Sequence, residues 1–398
     1  MKMITLSLTL LLGIILTASA YAAEPNATKT QGDFVFDLYR IVAKDKANEN
    51  VAVSPYCAEL LLDFVRTGAA GETKSEIDKV LGRTDPIKWN EAIADSPLTV
   101  VTALWTQHGY PILPDFLQTA QKEFGASVKQ ADFSGNANEA VKQINAWCSE
   151  KTKEKIPVLF EKLNATTRCV LVGGIHFAAD WKVPFEKDAT IEGTFVLADD
   201  IKVKTPMMSQ RGQMKYGETD ETHILELPYK NNGYAMLLLL PKDSAQFVQW
   251  ELEMTAEKLD AVRKTMKAEE VDLRMPRFTM ESDLVLNEPL KQLGMPTAFS
   301  RDADFSKITG LTDLYLSEVQ QKSFVKVDET GTEAAAVTGA VITVKSTLRD
   351  TKSFYANRPF LYVIVKGNTI LFLGRFVKPD MDEPFVDPNL SGEGGVFS

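Results

Sequence analysis

One segment of this 398-residue chain, residues 329–357, has the pattern of a buried strand and also that of an exposed loop. From Thr332 to Ile342 every second residue is uncharged, and most of these residues are small. Because alternate side chains of a strand face opposite sides, this set can be buried inside a sheet. Gly331 before it and the polar run 345–350 after it are typical of a loop. An alanine-rich linker or a plain hairpin strand fits the composition equally well.

Motifs along most of the chain decide between these interpretations. Residues 329–336 read Glu-x-Gly-Thr-Glu-Ala-Ala-Ala, and Asn-Arg-Pro-Phe-Leu follows at 357–361. The other motifs are Asn-Val-Ala-Val-Ser-Pro at 50–55, Gly-Ala-x-Gly-x-Thr-x-x-Glu-Ile at 68–77, Ile-Asn-x-Trp at 144–147, Trp-x-x-Pro-Phe at 181–185, Leu-x-Leu-Pro-Tyr at 225–229, Pro-Arg-Phe at 276–278 and Gly-Arg-Phe-Val-x-Pro at 374–379. In this order and number they resemble the serpin family of serine protease inhibitors.

The resemblance implies an α+β serpin fold with a large, mostly antiparallel central sheet, flanking sheets, about eight or nine helices and an exposed reactive-centre loop at residues 329–357. It also implies suicide inhibition. A protease attacks one bond of the loop and forms an acyl-enzyme, and the loop then inserts into the central sheet and traps the protease. A non-inhibitory binding or carrier protein with the same fold is the alternative function.

The bait bond is predicted from its usual distance after the hinge glutamate of serpins. That distance gives Lys345–Ser346, and a lysine resembles the bait of trypsin-like proteases, whose specificity pocket carries an aspartate. The chain from Ser346 to Arg358 is a few residues longer than in many serpins. Val344 and Arg349 therefore stay open as alternative cleavage sites, a broader target range is an alternative, and a cysteine protease is an alternative target.

The hinge of the predicted loop matches the pattern of inhibitory serpins. Gly331 fits because the chain must pivot there, and glycine does so without a Cβ penalty. The following residues are small, and Glu333 carries the only charge. Non-inhibitory serpins often break this pattern, so the sequence favours an inhibitor. The hinge residues assigned by the resemblance are Glu329, Gly331, Thr332, Glu333, Ala334, Ala335 and Ala336.

Two further regions are assigned by the resemblance. Serpins commonly build a polar cluster, the shutter, under the opening point of the central sheet from two serines, an asparagine and a histidine. The matching residues here are Ser54, Cys57, Gly173 and Gln321. Three of the four differ, which predicts a rebuilt cluster, because one buried polar partner left alone would be costly.

The breach lies at the top of the central sheet, where the loop would begin to insert. Trp181, Arg277 and Glu329 match this region. An ion pair between Arg277 and Glu329 is expected to hold the hinge before insertion.

The ends of the chain predict a secreted protein, extracellular or periplasmic. Met1-Lys2, the apolar run Ile4–Leu16 and Ala20-Tyr21-Ala22 form the pattern of a signal peptide over residues 1–22. The apolar run is too short to span a bilayer, so no membrane anchor is expected. Residues 23–380 are predicted to form one serpin domain, since no linker or repeat interrupts them, and residues 381–398 a flexible tail.

Composition limits the partners and the chemistry. A formal charge of −10 argues against binding nucleic acid. None of Cys57, Cys148 and Cys169 has a C-x-x-C spacing, and three buried free thiols are favoured over a disulfide, which stays open. The three histidines lie in no catalytic or zinc motif, and His176 lies in an apolar run typical of a core residue. We expect a monomer that is not an enzyme and has no metal or cofactor.

Overall fold

The computed structural model describes residues 31–85, 87, 89, 96–198, 200–332 and 351–379. The helices of this part of the chain are α1 (Gln31–Ala43), α2 (Pro55–Gly68), α3 (Gly71–Leu81), α4 (Pro114–Phe124), α5 (Phe133–Lys151), α6 (Phe247–Leu252), α7 (Ala256–Lys264), α8 (Asn287–Leu293) and α9 (Ser306–Thr309). None of these helices is both long enough and apolar enough to cross a membrane.

The strands belong to two sheets. Those of the central sheet are β2 (Leu98–Gln107), β3 (Ser127–Ala131), β4 (Cys169–Phe177), β5 (Ala179–Asp180), β11 (Phe278–Val285), β12 (Glu318–Val327) and β13 (Gly331–Thr332). Those of the second sheet are β1 (Val51–Val53), β6 (Ile191–Val196), β7 (Lys202–Glu218), β8 (Thr222–Pro228), β9 (Tyr234–Pro241), β10 (Lys267–Pro276), β14 (Lys352–Tyr355), β15 (Phe360–Lys366) and β16 (Thr369–Phe376).

The central sheet has the order β3-β2-β4-β12-β11. Its β2–β3 and β4–β12 pairings are parallel, and β2–β4 and β11–β12 are antiparallel. Strands β4 and β12 are far apart in sequence but lie side by side, from Val170 opposite Glu318 to His176 opposite Phe324. This parallel pair forms the middle of the sheet, and the predicted α+β architecture with a large central sheet is confirmed.

Helix α2 lies under the central sheet and packs against both β4 and β16. Ser54 caps its first turn by accepting a hydrogen bond from the Cys57 amide at 3.1 Å, and Pro55 occupies the first turn, where a missing N–H costs nothing. All of the helix except Thr67 is buried. A helix buried on every side must be apolar around most of its surface, as this sequence is.

Helix α5 covers the opposite face of the central sheet. Ile144, Trp147 and Cys148 of α5 pack in one cluster with Ala103 of β2 and Val172 of β4. The Ile-Asn-x-Trp motif at 144–147 lies in this covering helix. Both faces of the central sheet are therefore covered, which accounts for the run of buried residues along β4.

The three cysteines are free and buried, as predicted, in α2, α5 and β4. Burial raises the pKa of Cys57 and of Cys148 to about 12, so both are neutral thiols at physiological pH. His176 is also buried, in β4, and burial lowers its pKa to about 4. This histidine is neutral above that pH and belongs to the core, as its apolar context predicted.

Candidate hinge and shutter of the central sheet

The parallel strands β4 and β12 separate at one end of the central sheet. Their pairing ends at His176 and Phe324, although β12 continues to Val327 and the chain of β4 continues into β5. The short strand β13 fills the gap. Thr332 pairs with Val327 on one side and with Ala179 on the other, and both pairings are antiparallel.

A tight turn after β12 directs β13 into this gap. The Asp328 side chain accepts hydrogen bonds from the Thr330 amide at 2.9 Å and from the Gly331 amide at 3.3 Å. The Asp328 amide in turn donates to the Gly331 carbonyl at 2.9 Å. An aspartate that caps its own turn in this way reverses the chain direction within a few residues.

Thr332 is fully buried at the centre of the gap. Its hydroxyl shares a hydrogen bond of 2.7 Å with the hydroxyl of Tyr229, and either oxygen can be the donor. The Tyr229 ring stacks on Trp181 with centroids 4.5 Å apart and meets the edge of Phe177 at 4.9 Å. Burial raises the pKa of Tyr229, so the phenol stays neutral and can donate.

Gly331 is required in this structure by a close contact between strands, and its role as a pivot stays a prediction. Its φ lies outside the left-handed region that favours glycine. A Cβ at this position would instead lie 2.2 Å from the Ala179 carbonyl oxygen and 2.6 Å from the Asp180 Cα. The backbone of β5 approaches too closely for any side chain, so the glycine permits contact between strands.

The breach residues lie together, but one predicted contact is absent. Trp181 donates from Nε1 to the Asp328 carbonyl at 2.9 Å, and its amide donates to the Thr330 carbonyl at 2.9 Å. The Glu329 carboxylate accepts from the Thr190 hydroxyl at 2.8 Å. Although the structure describes both Arg277 and Glu329, which line one cleft, they form no ion pair. The expected pair is therefore wrong here, because a neutral hydroxyl partners the buried carboxylate.

The four shutter residues lie together, where β4 and β12 cross the start of α2. The Ser54 amide donates to Gln321 Oε1 at 3.1 Å, and Gln321 Nε2 donates to the Ser54 carbonyl at 2.8 Å. The Ser54 hydroxyl donates to the Leu371 carbonyl at 2.7 Å. Gln321 faces Gly173 across the strand pair, and a Cβ on Gly173 would lie 2.7 Å from Cys57 Sγ.

These contacts show how the four residues of the predicted shutter cluster fit together. A single glutamine makes two hydrogen bonds to one backbone residue of the helix cap, and the glycine makes room for the cysteine thiol beneath it. The substitutions are therefore compatible with one another, and both Gln321 and Ser54 are satisfied although fully buried. Their role in sheet opening stays a prediction.

Three residues of this region escaped the sequence analysis. Asp328 directly precedes the hinge motif and could have been recognised as a turn residue. Tyr229 ends the Leu-x-Leu-Pro-Tyr motif, but nothing in the motif indicates a hydrogen bond to Thr332. No signal pointed to Thr190. The other predicted site residues lie outside the described part of the chain: Glu333, Ala334, Ala335, Ala336, Val344, Lys345, Ser346 and Arg349.

The comparisons with known proteins agree with this geometry. The family model "Serpin (serine protease inhibitor)" matches residues 29–379. The chain belongs to the serpin family. An uncharacterized serpin-like protein of Thermococcus kodakarensis is 34% identical over 363 residues, which cover 87% of this chain and 84% of the relative. The leukocyte elastase inhibitor of Xenopus tropicalis is 34% identical over 370 residues, with 87% and 97% covered.

Solved serpin structures have the same fold. Human thyroxine-binding globulin, crystallised with its hormone, superposes with a TM-score of 0.80 at 28% identity, covering 88% of this chain and 97% of that one. The fold and the family are thus established for this serpin, and they include both protease inhibitors and a thyroxine-binding protein.

The close contact at Gly331 gives the first prediction. In Gly331→Ala the added methyl group collides with β5, so β13 should leave the gap. Loss of one or two backbone hydrogen bonds of about 0.5–1.5 kcal/mol each should speed amide exchange at Trp181 and Thr332 by about tenfold. Gly212→Ala is the matched control, since a Cβ there meets nothing within 4 Å. If amide exchange at Trp181 and Thr332 is unchanged in Gly331→Ala, the position of β13 in the gap is contradicted.

The two hydrogen bonds between Gln321 and the Ser54 backbone give the second prediction. Gln321→Leu leaves the buried Ser54 amide without an acceptor, while the Ser54 carbonyl keeps its helical bond to the Ala58 amide. The unsatisfied amide should cost about 1–3 kcal/mol and lower the midpoint of denaturation. Gln320→Leu is the control on the same strand, because Gln320 bonds to the half-exposed Asp283. Equal midpoints for the two variants would contradict the importance of the Gln321–Ser54 contact.

Proposed function

We propose that this serpin is a suicide inhibitor of trypsin-like serine proteases, with Lys345–Ser346 as its bait bond. The observation that carries the proposal is the seating of Gly331 and Thr332 as a strand antiparallel to both neighbours in the central sheet. Residues 333–344 follow directly. Continued insertion in the same direction would lengthen β13 between β4 and β12.

The chemistry begins at the bait bond. The serine oxygen of the protease attacks the Lys345 carbonyl carbon, and the bond to the Ser346 nitrogen breaks, so that this nitrogen leaves as a protonated amine. The Lys345 carbonyl is then held as an ester on the protease serine. Freed from Ser346, the chain up to Lys345 inserts into the sheet and carries the acylated protease with it.

Insertion requires the β4–β12 pair to separate. The parallel hydrogen bonds between Val170–His176 and Glu318–Phe324 break, and two antiparallel ladders replace them. Roughly a dozen inserted residues, at about 0.5–1.5 kcal/mol net for each hydrogen bond, provide on the order of 10 kcal/mol. Loss of one oxyanion-hole donor slows acyl chemistry about 10²–10³-fold, so part of that energy suffices to distort the protease active site.

The shutter supplies the barrier in this mechanism. Strand β12 is tied to the cap of α2 through Gln321 and Ser54, and those hydrogen bonds must break before β12 can move away from β4. The loop-exposed form is then maintained by a kinetic barrier and not by equilibrium stability. The breach supplies the starting point in this proposal, since Thr332 is already paired with Val327 and Ala179.

Alternatives remain for the cleavage site, for the class of target protease and for the function itself. Arg349 and Val344 remain alternative cleavage sites, and a cysteine protease remains an alternative target. A non-inhibitory carrier is the second candidate function, favoured by the similarity to thyroxine-binding globulin. The hinge from Thr332 to Ala336, in which Glu333 carries the only charge and the other residues are small, supports the inhibitor instead. We also propose that residues 1–22 are removed and that the protein is secreted as a monomer.

The bait bond is tested with trypsin. Mixing the two proteins should give a covalent complex that survives denaturing electrophoresis, and the released C-terminal peptide should begin at Ser346. Lys345→Ala should abolish the complex, whereas Arg349→Ala should retain it. A peptide that begins at Asp350 would move the site to Arg349, and absence of a complex with any serine or cysteine protease would refute the inhibitory function.

Loop insertion itself is tested by heating. Cleavage near Lys345 by a protease that is not trapped should let residues 333–344 join the sheet and stabilise it by on the order of 10 kcal/mol. For a protein of this size the melting temperature should rise by on the order of 20 °C. Equal or lower melting of the cleaved protein would favour the carrier function.

A further inference from the structure

A short loop crosses the middle of the central sheet on the face that α5 covers. Residues 152–160, called here the crossing loop, leave the end of α5 and return along it. The Asn145 side chain of α5 accepts hydrogen bonds from the Leu159 and Phe160 amides at 2.8 and 2.9 Å, and it donates to the Phe160 carbonyl at 2.8 Å. Both ends of the crossing loop are therefore fixed to α5.

The tip of the crossing loop contacts both strands of the central pair. The Ile156 side chain lies on β4, where a Cβ on Gly174 would be 3.0 Å from Ile156 Cδ1. Lys322 of β12 is directly opposite Gly174, and its Nζ donates to the Val158 carbonyl. The crossing loop thus joins β4 to β12 at one pair of residues. Because successive residues of a strand face opposite sides, this contact lies on the face opposite to the shutter.

The turn that starts the crossing loop has a strained backbone. Lys153 and Glu154 have φ of +51° and +65°, in the left-handed region that residues with a Cβ disfavour. The Glu154 amide donates to the Ser149 carbonyl at 2.8 Å, and the Lys153 amide donates to the Glu150 carbonyl at 3.3 Å. These two bonds form the Schellman motif of a helix end, whose left-handed position is usually occupied by glycine.

The side chains of the strained turn do not compensate for its backbone. Lys153 and Glu154 are both exposed. With other residues that the structure describes, neither side chain forms a hydrogen bond or an ion pair. The strained conformation is therefore maintained by the backbone of the motif and by the contacts farther along the crossing loop.

Separation of β4 from β12 would force the crossing loop to rearrange. Making room for one strand moves the two strands apart by about 4.8 Å. The loop cannot then keep its contacts with both Gly174 and Lys322. Because its two ends are fixed to α5, it must change its own backbone. Release of the left-handed turn at Lys153 and Glu154 is a change that lowers the free energy of the backbone.

We propose that the crossing loop is a clamp on the β4–β12 pair and that the backbone strain at Lys153 and Glu154 makes this clamp open more often. The strain raises the free energy of the closed loop and not that of the open loop. The population of the open loop therefore increases. The clamp acts in the uncleaved protein. Its consequence, easier insertion of the reactive-centre loop, rests on the proposed inhibitory function.

Amide hydrogen exchange of the full chain tests the clamp without a protease. The probes are Ile156, Leu159 and Phe160, whose amides bond to side-chain oxygens of Thr152 and Asn145. Lys153→Gly combined with Glu154→Gly removes the strain at both positions. Exchange at the three probes should slow by about tenfold. The amides of the β4–β12 ladder should slow by a similar factor, because the ladder opens with the clamp.

Two outcomes of this experiment would overturn the proposal. Unchanged exchange at the three probes would show that the turn stores no strain that favours opening. Slowed exchange at the probes with an unchanged ladder would show that the crossing loop does not restrain the strands.

Control variants separate strain from charge and from general stability. Lys153→Gln combined with Glu154→Gln removes the same two charges but keeps a Cβ at both positions, so exchange should not change. Asp200→Gly relieves a left-handed residue between β6 and β7, whose φ is +62°, and should leave the crossing loop and the ladder unchanged. Slowing as large as in the glycine variant would, in either control, overturn the proposal.

A variant with more strain should act in the opposite direction. Glu154→Val places a β-branched side chain at a positive φ, which such residues tolerate least. Exchange at Leu159 and Phe160 should become several-fold faster than in Glu154→Gln. Slower exchange in the valine variant than in the glutamine variant would contradict strain as the cause.

Trypsin tests the consequence for loop insertion. If slower opening of the clamp delays insertion, the variant with two glycines should yield more cleaved, untrapped serpin for each covalent complex than the variant with two glutamines. Equal yields would overturn the link between the clamp and insertion. If none of these proteins forms a complex, the inhibitory function fails, while the exchange experiment still decides whether the crossing loop is a strained clamp.

Discussion

The direct parallel pairing of β4 with β12 is the interaction on which the rest of this structure depends. Strands β4 and β12 come from distant parts of the sequence. Their own ladder joins them to each other, β2 and β11 flank them, and α2 packs beneath β4. Gln321 links the ladder to the helix through the backbone of Ser54. The middle of the sheet therefore consists of two strands that no short connection joins, and the β4 side of this pair is completely buried.

At the hinge end, strands β4 and β12 are no longer paired with each other, yet their polar backbone groups have partners. Where β4 and β12 diverge, β13 supplies backbone partners to both sides, and the Asp328 turn satisfies its own amides. Tyr229 and Trp181 close the gap from beneath with stacked rings and hydrogen bonds to the hinge. Because an unpaired buried amide is costly, a gap in a sheet persists only where another segment fills it. Here that segment is the start of the hinge.

Motif patterns predicted much of this arrangement and missed its contacts. The buried cysteines followed from the sequence, and the grouping of Ser54, Cys57, Gly173 and Gln321 followed from the family resemblance. The Arg277–Glu329 ion pair did not form, because Thr190 contacts the carboxylate from a segment more than a hundred residues away. Gly331 was predicted as a pivot, which stays a prediction, and the structure adds a second reason for the glycine. Its neighbour is the β5 backbone, and no local pattern records how closely a distant strand approaches.

The sequence by itself determined the family, the strand-like alternation after Gly331 and the basic residue at 345, because these depend only on the order of residues along the chain. The tertiary structure decided which partners those side chains meet. It decided that Thr332 bonds to Tyr229, that Gln321 bonds to the cap of α2, and that the Glu329 carboxylate meets the Thr190 hydroxyl. Hydrogen bonds and ion pairs depend on distances of a few ångströms between residues far apart in the chain, and only the folded molecule sets those distances.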